Sequence, residues 1–371
     1  MKKVLFATTA LIALGSMAAA DVRLSGYGRF GLDYNEANSD NPNDANYNGI
    51  SDTTITSRLR LQVDMSTETD GGVGFNARFR AQAESRDNNP NGAMFNGARF
   101  GVTYGGLIVN VGNIIGAMEN APGLYTTGTR SAGTGIDGMG FMSLPLKGIN
   151  VDPTSANYLT AGTNFAWDAY SSGGTGANGI EAIYTVGGFT GHISYSDDND
   201  NVDAAGNFVS DGLSRGAIML TYSFGDYYVT GAYQSADNAV TYTDVNGRVY
   251  DQEDGQYFLA IGGEWGNFGA KLAYGSNDIA DSVTLEGNMD IGAASNILVW
   301  VNNTSVDDAL LNVANESAAG VAAVAEDLDG TAFGINYQYD LGGGATFVAG
   351  YAQSAADDDN SQFQAGVYFS F

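Results

Sequence analysis

Apolar and polar residues alternate one by one through many short stretches of this chain. The clearest example is residues 361–371, in which five apolar side chains fall on one face: Phe363, Ala365, Val367, Phe369 and Phe371. A period of two is the geometry of a β-strand, because successive side chains point to opposite faces. The chain is therefore predicted to end in a strand whose last residue is aromatic.

The same alternation recurs along the whole sequence, and each repeat has one apolar and one polar face. Sixteen strands are predicted in this way: 22–34, 55–65, 73–82, 98–104, 107–113, 179–186, 189–196, 215–224, 227–234, 256–265, 268–275, 282–291, 296–302, 332–341, 345–352 and 361–371. This pattern predicts an all-β protein.

The connections between these strands are of two kinds that alternate. Tight glycine-bearing links such as 105–106 and 225–226 follow one set of strands, and long polar segments such as 35–52 and 303–331 follow the other. Short turns at one rim and long loops at the other are typical of a transmembrane antiparallel β-barrel of the bacterial outer membrane. An even strand number places both chain ends at the short-turn rim, which is predicted to be periplasmic.

The amino-terminal segment predicts export. Lys2 and Lys3 precede an apolar run over residues 4–14, and Ala18–Ala20 has the small side chains that signal peptidase requires. Residues 1–20 are therefore predicted to be a cleaved signal peptide, and residues 21–371 a single barrel domain. Beyond that segment no run reaches the 18 or so apolar residues of a spanning helix. A soluble β-sandwich is the alternative, but it explains neither the signal peptide nor the terminal aromatic residue.

Strand parity also predicts which face lines the lumen. Five arginines lie on the polar faces of the first three strands: Arg29, Arg58, Arg60, Arg78 and Arg80. An arginine facing hydrocarbon near the midplane costs about 2–4 kcal/mol, so these side chains must point inward. Sixteen strands leave room for an aqueous channel, and the arginines become a predicted pore wall. The alternative is ordinary ion pairing to Asp64 and Glu84.

The charge is strongly negative. The full chain has 15 basic and 42 acidic residues, so removal of Lys2 and Lys3 leaves a net charge of −29. This excess argues against nucleic acid or anionic lipid as a passive partner and favours cations. Acidic clusters at 197–200, 251–254, 326–329 and 357–359 suit structural calcium, or calcium and magnesium bridges to lipopolysaccharide phosphates. Solvated loop charge is the commoner explanation for such clusters. The sole histidine, His192, is expected at a solvated lumen position, and the metal site, if any, is unknown.

Several short motifs, taken in order, resemble the general porins of alphaproteobacteria. They are DVRLSGYGRFG at 21–31, FGVTYGGLIVNVGN at 100–113, YDLGGGA at 339–345 and the terminal Phe371. The resemblance implies a trimeric sixteen-stranded outer-membrane channel for passive diffusion of small hydrophilic solutes and ions. It also implies that the barrel-insertion machinery reads the carboxyl-terminal aromatics, Phe369 and Phe371.

In that family the third long loop folds into the barrel and places acidic residues opposite the arginines. The corresponding loop here follows Asn113, and its acidic residues are Glu119 and Asp137, followed by Asp152 and Asp168. It also contains Arg130 and Lys147. Carboxylates facing guanidinium groups across a narrow channel would create a transverse field.

Three other functions are alternatives to a general channel. A substrate-specific channel remains open, although Tyr27, Phe258 and Trp300 are too scattered for an aromatic slide. A barrel enzyme would need a base, and only His192 could serve as a histidine base, with no clear serine or acid partner, so no catalytic residue is predicted. An adhesin or anchor would carry a further domain, for which sixteen strands leave no chain.

Overall fold

The structure is a computed structural model. It describes residues 21–44, 47–125, 168, 170–202, 205–237, 241–243, 249–251, 255–278, 280–306, 329–355 and 361–371. The predicted signal peptide lies outside the described residues. Within these ranges, no helix has the length and hydropathy needed to cross a membrane.

Sixteen long strands form the body of the molecule. They are β1 (Asp21–Asn35), β2 (Thr53–Glu68), β3 (Gly74–Arg86), β4 (Arg99–Tyr104), β5 (Leu107–Asn113), β6 (Asn178–Val186), β7 (Phe189–Asp197), β8 (Ser214–Phe224), β9 (Tyr227–Asp237), β10 (Gln256–Trp265), β11 (Phe268–Ser276), β12 (Ala280–Ile291), β13 (Ser295–Val306), β14 (Gly330–Gly342), β15 (Ala345–Gln353) and β16 (Ser361–Ser370). Each is antiparallel to its sequence neighbours.

The sheet closes on itself through β1 and β16. Their register runs from Tyr27 opposite Ser370 to Asn35 opposite Gln362. Phe371 continues the ladder, because its amide donates to the Gly26 carbonyl at 3.1 Å and its carbonyl accepts from the Gly26 amide at 3.0 Å. A closed sheet has no free edge, so the predicted sixteen-stranded antiparallel barrel is confirmed.

The two rims differ as the sequence predicted. Tight turns such as residues 105–106, 187–188 and 225–226 join strands at the rim that also holds Asp21 and Phe371. Loops at the opposite rim are mostly long, but β11 and β12 are joined there by residues 277–279 alone.

Exposure alternates along the strands with the apolar side chains outside. On β2, Ile55 is 66% exposed and Leu59 53%, whereas Thr54 and Thr56 are buried at 4% and 1%. This is the reverse of a soluble protein, in which apolar residues fill the interior. The outer surface is therefore suited to hydrocarbon and the inner surface to water, as the parity argument predicted.

Aromatic rings line the outer surface near the short-turn rim. A continuous series of stacked rings crosses β7 to β10, with centroids 4.3–5.8 Å apart, in the order Phe189, Tyr222, Phe224, Tyr227 and Trp265. Aromatic girdles of this kind mark the interface between hydrocarbon and headgroups.

The structure also contains short strands that the alternation did not predict. Asn89–Pro90 and Met94–Phe95 pair with β3. Asn201–Val202 pairs with Phe208–Ser210, and Thr241–Thr243 pairs with Val249–Asp251. Segments of two or three residues are too short for a period of two to be recognised.

Candidate functional site: the lumen and its inner loop

The chain after β5 lies inside the barrel rather than at its rim. Residues 114–125 pack against the inner wall, where Ile114, Ala117, Met118 and Leu124 are at most 1% exposed. This segment sits on an apolar patch formed by inward side chains of β8 to β12: Met219, Ala232, Phe258, Ala260, Ala273 and Ala280. The predicted inward loop is thus present in the described part of the chain.

The residues of this apolar patch interrupt the polar face of their strands in the sequence. Met219 and Phe258 occupy inward positions of their strands, between polar residues such as Thr221 and Gln256. Apolar side chains on the polar face of a barrel strand need a cover, and residues 114–125 supply it.

Polar contacts fix the first part of this loop to β6 and β7. The Gly116 amide donates to Glu181 Oε2 at 2.9 Å, and the Ala117 amide donates to Ser194 Oγ at 2.9 Å. Two loop amides that would otherwise be buried without partners are satisfied in this way.

His192 belongs to the same anchor. Its Nε2 lies 3.1 Å from Glu181 Oε2, and its Nδ1 lies 3.3 Å from Asn120 Nδ2. The side chain is 0% exposed. The expectation of a solvated lumen position for His192 is therefore wrong, because the loop covers it.

A second anchor holds the other end of the described segment to β11 and β12. Lys271 Nζ donates to the Tyr125 carbonyl at 2.6 Å and pairs with Glu286 at 2.8 Å. Both charged side chains are almost fully buried, at 2% and 0% exposure. A buried ion pair is costly to break by removing one partner, so this contact fixes the position of Tyr125.

The predicted constriction acids have different positions. Glu119 lies in the inner loop, half-buried, and accepts a hydrogen bond of 2.5 Å from the Tyr125 hydroxyl. Burial and the Glu119 carboxylate raise the pKa of Tyr125 well above its ordinary value. Asp137 and Asp152 lie outside the described residues.

Asp168 lies on the return limb of the loop, and it faces β8 rather than the predicted wall arginines of β1 to β3. It is 4% exposed, and its Oδ1 is 3.6 Å from Arg215 Nη1. Burial raises the pKa of its carboxyl, although Ser196 and Arg215 act in the opposite direction.

The five predicted wall arginines lie on β1 to β3. Arg29 is opposite Arg58, and Arg60 is opposite Tyr27. Arg99 on β4 extends this group, because it is opposite Arg78. Sequence reasoning missed Arg99, although it shares the polar face of its strand with Gly101 and Thr103.

The wall arginines are held in two ways. Arg58 and Arg78 form ion pairs with Glu84 at 2.6 Å and Asp64 at 2.5 Å. Their charges are thus partly offset, as the ion-pairing alternative proposed.

The other two predicted wall arginines of β2 and β3 have neutral partners. Arg60 Nε donates to Gln82 at 2.8 Å, and Arg80 Nε donates to Gln62 at 2.9 Å. The return limb of the loop reaches Arg80 as well, since Ser172 Oγ is 3.2 Å from its Nη1 and the Tyr170 ring is 4.4 Å from its guanidinium carbon.

Strand order places the two features on opposite sides of the lumen. The arginines occupy β1 to β4, while residues 114–125 contact β6, β7 and β8 to β12, and a ring of sixteen strands sets β9 across from β1. A polar channel with guanidinium groups on one side and an anchored loop on the other follows from this arrangement. Within the described ranges no three His, Cys, Asp or Glu side chains are grouped to hold a metal ion.

Comparison with known proteins agrees with this geometry. A family described as Gram-negative porin matches residues 7–370. The porin of Fuscovulum blasticum is 28% identical over 357 residues, and that of Rhodobacter capsulatus is 26% identical over 362; both alignments cover 95% of this chain and 100% of the relative.

Solved structures give the same result. Two mutants of the Rh. blastica porin align with TM-scores of 0.64 and 0.63 at 26% and 25% identity, and each alignment covers 95% of this chain and 100% of theirs. With its closed barrel and apolar outer surface, this chain belongs to the Gram-negative porin family and forms a channel in the outer membrane.

Proposed function

We propose that this porin passes small hydrophilic solutes and ions by passive diffusion, with a preference for cations. The observation that supports it is the polar inner surface, which the anchored loop narrows from one side. Solutes that carry their hydration shell can pass such a lumen, while bulky apolar solutes are disfavoured. The excess of 42 acidic over 15 basic residues in the whole chain supports the cation preference.

The arginine wall opposes that preference locally. Arg58, Arg60 and Arg78 add positive charge on one side of the lumen, and only Arg58 and Arg78 have carboxylates beside them. We infer that the wall and the loop acids together orient dipolar solutes across the channel, while the excess acidic charge elsewhere sets the ion preference.

Reversal potentials in planar bilayers test this proposal. The wild-type channel should be cation-selective under a potassium chloride gradient. A unit charge acts on an ion 4 Å away in water with about 1 kcal/mol, so R58Q/R60Q/R78Q should raise the cation-to-anion permeability ratio severalfold. An anion-selective wild type, or an unchanged potential in the variant, would contradict it. Heat-modifiable migration on gels serves as the control for a folded barrel.

The remaining assignments are also proposals. The family implies a channel rather than an enzyme, and we propose no catalytic role for His192, which the loop covers. The family resemblance supports two proposals: a homotrimer, and recognition of Phe369 and Phe371 by the insertion machinery. The acidic composition of the loops supports two more: contact with lipopolysaccharide and structural calcium.

A further inference from the structure

We propose that Arg60 and Arg80 form a binding subsite for small solutes that carry a carboxylate group. The proposal rests on the diffusion function and deepens it, because it names a class of solute that would pause at a particular place in the lumen.

The register of β2 and β3 brings the two guanidinium groups together. Arg60 is opposite Gln82, and Gln62 is opposite Arg80, so the two arginines are diagonal neighbours on the inner face, roughly 7–8 Å apart at the backbone. Each uses its Nε to bind the opposite glutamine, at 2.8 and 2.9 Å. The glutamines thus engage Nε and leave the Nη atoms to other partners; Nη1 of Arg80 donates to Ser172 Oγ at 3.2 Å.

The partners of this pair orient it without neutralising it. Among the described residues, no carboxylate lies within ion-pairing distance of Arg60 or Arg80, in contrast to Arg58 and Arg78. Arg60 lies over the Tyr27 ring at 5.0 Å, and Arg80 over the Tyr170 ring at 4.4 Å. Two positive charges are thus held side by side with neutral supports.

The space beside the pair fits a small solute. A cavity of about 470 Å³ is lined by Arg60, Arg80, Gln62 and Tyr27, and it is bounded by Ser370 and Phe371 at the short-turn rim. A planar carboxylate matches the fork of two guanidinium nitrogens, and such charge-assisted hydrogen bonds are shorter and stronger than neutral ones. The geometry thus selects a carboxylate that bridges both arginines.

Titration of potassium succinate against the purified channel in planar bilayers, at constant ionic strength, tests the subsite. Wild-type conductance should fall along a saturating curve. R60Q/R80Q removes the charge-assisted hydrogen bonds to the carboxylate, so it should weaken the apparent affinity by about tenfold or more. The matched control is R58Q/E84Q, which removes an ion pair from the same wall without changing its net charge and should keep the affinity within about twofold.

Two further measurements separate binding from a general field. R60K/R80K keeps both charges but removes the forks, so it should weaken succinate binding while the reversal potential in potassium chloride stays at the wild-type value. Uncharged succinamide should have no saturating effect. Three results would overturn the carboxylate subsite. They are an equal loss of succinate affinity in R58Q/E84Q, full succinate affinity in R60K/R80K, and tighter binding of inorganic phosphate than of succinate. The diffusion proposal is tested separately, by the reversal potential in potassium chloride without succinate. An anion-selective wild type would contradict that proposal and would leave the succinate titration unaffected.

Discussion

At the residue scale, the lumen wall contains arginines of two kinds. Arg58 and Arg78 are paired with carboxylates, whereas Arg60 and Arg80 are held by glutamine amides. All four have the same sequence signature, a basic residue on the polar face of a strand. Whether an arginine has a carboxylate or an amide partner depends on which residue of the neighbouring strand lies close to it. The register between the two strands decides this, and neither strand decides it alone.

Gly31 lies in the seam between β1 and β16 that closes the barrel, opposite Gly366. A Cβ atom at this position would lie 2.3 Å from the Ala365 carbonyl oxygen and 2.9 Å from Gly366 Cα, which are backbone atoms of β16. Overpacking of this kind costs about 1–3 kcal/mol. We expect G31A to lower the free energy of unfolding by that amount in detergent, measured by denaturant titration.

Gly216 provides the matched control for Gly31. It lies on β8, and a Cβ atom built there meets nothing within 4 Å. G216A should therefore unfold close to the wild-type midpoint. If both variants had the same stability, the crowding at the seam would not be a determinant of closure.

At the element scale, the inner loop is held by side chains of distant strands. Glu181 and Ser194 bind its first amides, and Lys271 binds the Tyr125 carbonyl. These contacts span 65 to 146 positions of sequence. The loop therefore acts as a fixed part of the wall, because breaking one anchor leaves a buried polar group without a partner.

Removal of the Lys271 anchor should loosen the loop. K271M would leave the Glu286 carboxylate buried without its ammonium partner, and breaking a buried pair in this way costs about 3–5 kcal/mol. We therefore test the double variant K271M/E286Q, which avoids an unpaired charge. Its single-channel current should be noisier and its mean conductance changed, while circular dichroism reports an unchanged strand content.

A second pair of buried side chains in the lumen, Thr221 and Thr230, provides the matched control. T221V/T230V removes the hydroxyl contact of 2.8 Å between β8 and β9. In the described part of the chain, neither threonine hydroxyl is hydrogen-bonded to the inner loop. Two results would mean that Lys271 does not position the loop. In one, the current noise of K271M/E286Q equals that of the wild type; in the other, the noise increases equally in both double variants.

At the scale of the whole molecule, Phe371 extends the ladder between β1 and β16 that closes the barrel. Phe371 makes two backbone hydrogen bonds to Gly26, and its ring lies over the same glycine. The ring is on the outer surface, and the residue as a whole is 60% exposed. A residue that completes the ladder and remains accessible suits both closure and recognition during insertion.

Deletion of Phe371 should lower the amount of barrel inserted into the outer membrane and leave the conductance of each inserted channel unchanged. The ring lies outside the lumen, so the conduction path is not affected. Quantitative immunoblots of membrane fractions and single-channel recordings measure the two quantities. F363A is the control, because it removes another outward aromatic from β16, and its insertion should match the wild type. Normal insertion after the deletion would contradict the assembly role.

Much of the fold could be predicted because barrel strands obey a local rule. The period of two identified all sixteen long strands, although several ends differ, as in β2, which begins at Thr53 rather than at residue 55. Parity placed Arg58 and Arg60 on the inner face without any structure. Arg99 could have been found by the same rule, whereas Tyr170 and Ser172 could not, because nothing local indicates that they return to Arg80.

By itself, the sequence determined the barrel, the short turns at one rim and the long loops at the other, and the side of each strand that meets lipid. These properties follow from alternation and from the cost of charge in hydrocarbon, which act within single strands. Only the tertiary structure decided that His192 is buried, that Lys271 anchors the inner loop, and that Arg60 and Arg80 have neutral partners. Those outcomes depend on contacts between segments far apart in sequence, which closure of the sheet brings together.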